Sequence, residues 1–229
     1  MAIEHPAPYS IPAAVLRNLV EQEGLSLVQL ASPAGDAAKG EKGFAAWPGR
    51  EGEFRESLEV GLTYGMTAGA RFIQVQSGVS PIGHGPEGIW ETYLSNLAWA
   101  CESAARVGME VLIEPIGPAT LANYFMSKTA LALDAIRTLK YPNLKMLYDV
   151  FHGRCAGEDP ARVIRQHADI IGHIHVADFP GRHEPGTGST NFQEIFSVLA
   201  DISWAGYVGC EYKPSSTTES SLDWLKKHS

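Results

Sequence analysis

Four short apolar runs each carry a side chain that could hold a cation or move a proton. Glu114 stands in Val111-Leu112-Ile113-Glu114-Pro115, Asp149 in Leu147-Tyr148-Asp149, His175 in Gly172-His173-Ile174-His175-Val176, and Glu211 in Gly209-Cys210-Glu211-Tyr212. An ionisable group inside an apolar run is costly unless it is paired or bound to a metal. Singly, a strand-end acid also reads as a helix cap or an ion-pair partner, and a strand histidine as a hydrogen-bonded core residue. Together, three carboxylates and an imidazole at equivalent strand ends point to one divalent cation that relieves their repulsion. The donor set suits Mg²⁺, Mn²⁺, Co²⁺ or Zn²⁺ and does not choose among them. Such an ion polarises a carbonyl and a neighbouring hydroxyl, acidifying the C–H between them and stabilising an enediolate. Glu114 and Glu211 then flank the substrate, one removing a proton and the other returning it; a positioned acid or base is worth typically 10²–10⁴-fold.

Further residues are candidates for holding substrate. His152 follows Asp149 by three residues and can hydrogen-bond a substrate oxygen. Arg182 lies in the Gly/Pro-rich segment Phe179-Pro180-Gly181-Arg182-His183-Glu184-Pro185-Gly186-Thr187-Gly188, where a guanidinium can grip a carboxylate with two parallel hydrogen bonds. Lys42 and Arg50, in a Pro/Gly-rich stretch over residues 32–50, are further cations for an anionic substrate. His173 reads as core. Cys210, next to Glu211, should point to the opposite face of its strand and reads as core, not as a nucleophile.

The elements that must position these groups alternate along the chain. Short apolar runs at 25–31, 71–76, 110–116, 145–150, 171–177 and 207–212 are bounded by Gly, Pro, Asn or Asp, as buried parallel strands are. Between them, helical spacing marks 51–69, 90–107, 127–139, 159–167 and 191–199, with Pro160 in a first turn and Asn191 as a cap. Strand and helix in strict alternation mean parallel β-strands joined by crossover helices, as in a closed barrel or an open doubly wound sheet, of which the barrel is favoured. Neither a dinucleotide-binding glycine fingerprint nor a Walker loop follows any strand. The expectation is therefore a TIM (β/α)₈-type barrel in one domain, residues 1–229, with functional groups at the C-terminal strand ends. Six strands are clear and residues 2–5 supply a frayed seventh, so the barrel is expected to be incomplete at its N-terminus. The long 32–50 stretch is expected to be a functional lid or disordered.

Composition narrows the function. Of 229 residues 45% are hydrophobic, enough for one sizeable core. Acidic residues outnumber basic ones by 26 to 18, giving a net charge of −8 with no Lys/Arg cluster. That argues against nucleic acid, whose binding rests on cationic contacts. Three cysteines without a CxxC pair suggest neither a disulfide framework nor a thiolate metal site. No apolar run approaches the ~18 residues of a membrane span, and the start, Met1-Ala2-Ile3-Glu4-His5, lacks a signal-peptide pattern. A soluble cytoplasmic protein is expected.

The strings Glu114-Pro115-Ile116, Tyr148-Asp149 with His152, Gly172-His173-Ile174, Gly181-Arg182-His183-Glu184-Pro185-Gly186-Thr187-Gly188 and Gly209-Cys210-Glu211-Tyr212-Lys213-Pro214 resemble the hydroxypyruvate isomerase and 2-oxo-tetronate isomerase family. Upstream, Pro33-Ala34-Gly35-Asp36, Gly40-Glu41, Pro48-Gly49-Arg50-Glu51 and Glu53-Phe54-Arg55 match as well, so the likeness covers nearly the whole chain. It implies the xylose-isomerase-like barrel, Glu114 and Glu211 as the proton-transfer pair, and Glu114, Asp149, residue 175 and Glu211 as metal ligands. The family carries Gln where this chain has His175, whereas related ketose 3-epimerases carry His. The family's first strand and helix have no counterpart here, and a homo-oligomer could cover the open seam. The expected function is metal-assisted isomerisation of a small hydroxy-keto acid, such as hydroxypyruvate to tartronate semialdehyde. A ketose 3-epimerase of the same fold and a truncated, non-catalytic sugar-acid-binding protein are the alternatives. An endonuclease of the same superfamily would need more histidine ligands and a basic face.

Overall fold

The computed structural model describes residues 1–227. The chain divides into two compact units, Met1–Met146 and Leu147–Ser229, with the division falling inside a strand.

The first unit runs β1 (Ala2–Ile3), α1 (Ala13–Gln22), β2 (Ser26–Leu27), β3 (Gln29–Ala31), α2 (Glu51–Ala68), β4 (Phe72–Gln74), α3 (Pro86–Arg106), β5 (Glu110–Ile113), α4 (Thr129–Leu139) and the start of β6 (Leu144–Asp149). β1 pairs with β2, and β3 through β6 pair in chain order, all in parallel. β2 and β3 are one crossing of the chain. Val28 between them donates its N–H to Ile3 on one side and accepts from Phe72 on the other, each at 2.9 Å. The strands are apolar throughout because both faces are covered: Leu30, Ile73, Val111, Leu112 and Ile113 have no solvent exposure. α2 buries Phe54, Leu58, Leu62 and Gly65 at helical spacing and stops at Gly69, whose φ of 80° takes the left-handed terminal position. α1 buries only Leu16 and Val20, too thin an apolar stripe for the sequence to announce it.

The 32–50 segment is neither loose nor a simple lid. Ala45 and Ala46 are fully buried, Ala46 N–H bonds Ser77 O at 2.9 Å, and the Asn96 amide of α3 donates to Ala45 O at 2.9 Å. Gly43 fits only as glycine: its φ is 104°, and a Cβ would collide with the Gln76 backbone.

The second unit contains the end of β6, then α5 (Val150–Cys155), α6 (Pro160–His167), β7 (Ile171–Val176), α7 (Phe192–Asp201), β8 (Val208–Cys210) and a 3-10 helix at Ser220–Lys227. β7 and β8 are parallel, with His175 opposite Gly209 and Val176 opposite Cys210. Asp159 and Asn191 cap α6 and α7 as their positions suggest. α5 is unannounced in the sequence; Asp149 starts it, its side chain accepting from Phe151 N–H at 2.7 Å.

Among the described residues the chain thus occupies seven strand positions, and the strands end earlier than the apolar runs do. β5 stops before Glu114 and β8 before Glu211. Cys210 corrects an expectation: it is exposed, not core. Among the described residues, no helix is long and apolar enough to cross a membrane.

Candidate metal and proton-transfer site

Three of the predicted ligands gather within the second unit. Asp149 is the last residue of β6, His175 the next-to-last of β7, and Glu211 the first beyond β8. Asp149 Oδ, His175 Nδ1/Nε2 and Glu211 Oε each offer an atom within 4.8 Å of the others. His175 Nδ1 lies 3.3 Å from Glu211 Oε2. His175 faces a glycine across the β7–β8 ladder, so no neighbouring side chain crowds its ring there. His173 lies edge-on to it at 5.0 Å between centroids and is fully buried.

Two of the predicted substrate-binding residues join this group. His152, buried on α5, places Nε2 3.5 Å from Asp149 Oδ2. Arg182 bonds the same Asp149 Oδ2 at 3.1 Å and also contacts Glu211 Oε2. It also lies over the Phe151 ring, 5.3 Å from its centroid. Arg182 has φ 56°, a left-handed conformation that a non-glycine residue keeps only when its surroundings impose it.

Burial and charge drive the carboxylates apart. Burial raises the Asp149 carboxyl above its ordinary range; His175 and Arg182 oppose that, and Glu211 adds to it. Burial also pushes Glu211 upward, but the hydrogen bond and charge of His175, with Arg182, overcome this and hold it low. His152 is pushed down to about 4, first by burial and then by Arg182. It is therefore neutral near pH 7, with one ring nitrogen donating and the other accepting.

The donor set fits a divalent ion. Two ligands each ~2.1 Å from one ion at a right angle lie ~3 Å apart, close to the 3.3 Å between His175 and Glu211. A positive group already contacts Asp149 Oδ2 and Glu211 Oε2 together, so one centre of positive charge can serve both carboxylates.

The first unit holds the remaining candidates. Glu114 is 7% exposed and accepts from the Gln74 side-chain amide at 2.6 Å. Gln74 was not singled out by the sequence; the available signal was an amide within Phe72-Ile73-Gln74-Val75. A second such pair lies at β3, where the Gln29 amide donates to Glu4 at 2.8 Å. Arg50 pairs with Glu41 at 2.7 Å and Glu53 at 2.6 Å and packs over the Phe44 ring. Lys42 is exposed on the same segment.

Comparison with known proteins shows the family. A family model described as xylose isomerase-like TIM barrel matches residues 2–228. The 2-oxo-tetronate isomerase of Cupriavidus necator is 36% identical over 227 residues, covering 99% of this chain and 87% of that protein. The hydroxypyruvate isomerase of Escherichia coli is 35% identical over 223 residues, covering 97% and 86%. A solved structure from Brucella melitensis, titled AP endonuclease, family 2, superposes with a TM-score of 0.94 at 32% identity, covering 99% of this chain and 88% of that one.

Proposed function

The chain belongs to the xylose isomerase-like TIM barrel family, among its hydroxypyruvate and 2-oxo-tetronate isomerases, and on that premise we propose that this isomerase interconverts a small hydroxy-keto acid through an enediolate. The observation that carries the reading is the convergence of Asp149, His175 and Glu211 on a common point, with Arg182 and His152 beside them. A divalent ion held by Asp149, His175 and Glu211, with Glu114 as the fourth ligand that the family resemblance adds, would acidify the substrate C–H by polarising its oxygens.

In this reading the two glutamates carry the proton between carbons. For hydroxypyruvate, one carboxylate takes a proton from C3, leaving an enediolate, and a carboxylic acid returns a proton to C2. The hydroxyl proton passes from the C3 oxygen to the C2 oxygen, giving tartronate semialdehyde with all atoms conserved. His152, neutral and buried, donates to a substrate oxygen. Arg182 has five N–H donors, so its contacts to Asp149 and Glu211 leave others for the substrate carboxylate. Lys42 remains a candidate for steering the anion inward. The imidazole at position 175 favours a second reading, a ketose 3-epimerase, which exchanges a proton at a different carbon of a neutral sugar.

The test is an assay of metal-stripped protein on hydroxypyruvate, 2-oxo-tetronate and ketoses, with Mg²⁺, Mn²⁺, Co²⁺ or Zn²⁺ restored singly. Activity on an acid should vanish on stripping and return with one or more metals. Turnover of ketoses alone would select the epimerase, and no turnover with metal bound would refute the enzyme reading.

A further inference from the structure

Beyond the residues that face the site, one buried carboxylate organises the loop that presents Arg182. Asp178, two residues past β7, is 1% exposed. Its Oδ1 accepts from Phe179 N–H at 2.8 Å and Thr190 N–H at 3.0 Å. Its Oδ2 accepts from Gly186 N–H at 2.9 Å and Gly188 N–H at 2.8 Å. Its backbone takes two more bonds, N–H to His183 O at 2.8 Å and C=O from Arg182 N–H at 2.9 Å. Both ends of the 179–190 loop are therefore gathered on one residue. Gly188 has to be glycine, because a Cβ would collide with Phe179 O and crowd Asp178 Oδ1.

The tip of the loop is fastened separately to the chain that follows Glu211. Lys213 N–H bonds Arg182 O at 2.9 Å, His183 Nδ1 lies 2.8 Å from Lys213 O, and the Glu184 carboxylate accepts from Ser215 N–H at 2.9 Å and from its hydroxyl. Arg182 is thus held in its left-handed conformation from both sides, while its guanidinium reaches Asp149 and Glu211.

We propose that Asp178 is a positioning residue: by accepting four backbone N–H groups it sets the Arg182 guanidinium where a substrate carboxylate can be gripped, with the Glu184–Ser215 contact as its peripheral support. The inference rests on the reading of Arg182 as the group that holds the substrate carboxylate. A carboxylate is required because both oxygens face two donors each. An asparagine would turn an N–H₂ towards one of those pairs, leaving two buried donors opposed by a third.

A double-mutant cycle on metal-loaded protein tests it, reading KM and kcat for whichever acid, hydroxypyruvate or 2-oxo-tetronate, is turned over. Arg182→Ala is expected to raise KM at least about tenfold, and Asp178→Asn to raise KM about tenfold with kcat changed less than about threefold. In the Arg182→Ala background Asp178→Asn should add less than about twofold, because its effect passes through the missing guanidinium. Should Asp178→Asn fail to fold, Glu184→Ala serves in the same cycle, with a KM rise of about threefold that disappears when Arg182 is absent. A loss that multiplies in full with Arg182→Ala would overturn the positioning role while leaving the reading of Arg182 standing. An unchanged KM for Arg182→Ala alone would overturn both.

Discussion

Glu114 and Glu211, the proposed proton-transfer pair, have opposite surroundings. Glu114 is sealed and bonded by Gln74. Glu211 is half exposed, at 52% of its side chain, and leans on His175 and Arg182. A buried carboxylate that accepts an amide N–H at one oxygen keeps its other oxygen aimed, as a proton-transfer base requires. Replacing Glu114 by Gln preserves that bond if the new carbonyl faces Gln74, so the change removes basicity with little change in shape. Glu114→Gln and Glu211→Gln are each expected to abolish incorporation of solvent deuterium into substrate, followed by NMR of the reaction in D₂O. Exchange that persists in either variant would strip that glutamate of its proton-transfer role.

At the scale of elements, the candidate side chains of each unit depend on where their own strands stop. β5, β6 and β8 end at or just before Glu114, Asp149 and Glu211, so each side chain leaves the ladder while its backbone is still anchored by it. The 32–50 segment shows the same economy. Its buried Ala45 carbonyl has no strand to pair with and takes the Asn96 amide of α3 instead. Asn96→Ala is expected to cost ~1–3 kcal/mol, the penalty of a buried carbonyl left without a donor. Urea unfolding reads this as a lower midpoint with an unchanged slope, and an unmoved midpoint would show that the carbonyl finds another donor. The apolar runs made six strand positions legible, and helical periodicity five of the helices. α1 and α5 were not, since one carries a two-residue stripe and the other rests on a side-chain cap at Asp149.

At the scale of the whole molecule, charge decides between chemistries that this fold hosts. A net charge of −8 repels phosphate backbones, whose binding depends on several Lys or Arg contacts. The structurally similar Brucella melitensis chain is titled an AP endonuclease. This protein is nevertheless expected neither to bind nor to nick a duplex containing an abasic site at about 150 mM salt, measured by fluorescence anisotropy and gel assay with each divalent metal present. Nicking that co-purifies with the protein and is lost in Glu211→Gln would place the same residues in phosphodiester chemistry.

Residue type and spacing alone determined the parallel strand–helix alternation and the four candidate ligands, because apolar periodicity is local and an ionisable residue in an apolar run stands out without a partner. Tertiary structure decided which partners the charged groups meet. It drew Arg50 into pairs with Glu41 and Glu53, aimed Arg182 at Asp149 and Glu211, and brought Cys210 to the surface. It also revealed Gln74 and Asp178, whose roles come from partners 40 residues away in one case and up to 12 in the other. A hydrogen bond between distant residues leaves no periodic trace in the chain, so only the folded geometry could pair Arg182 with the carboxylates it serves.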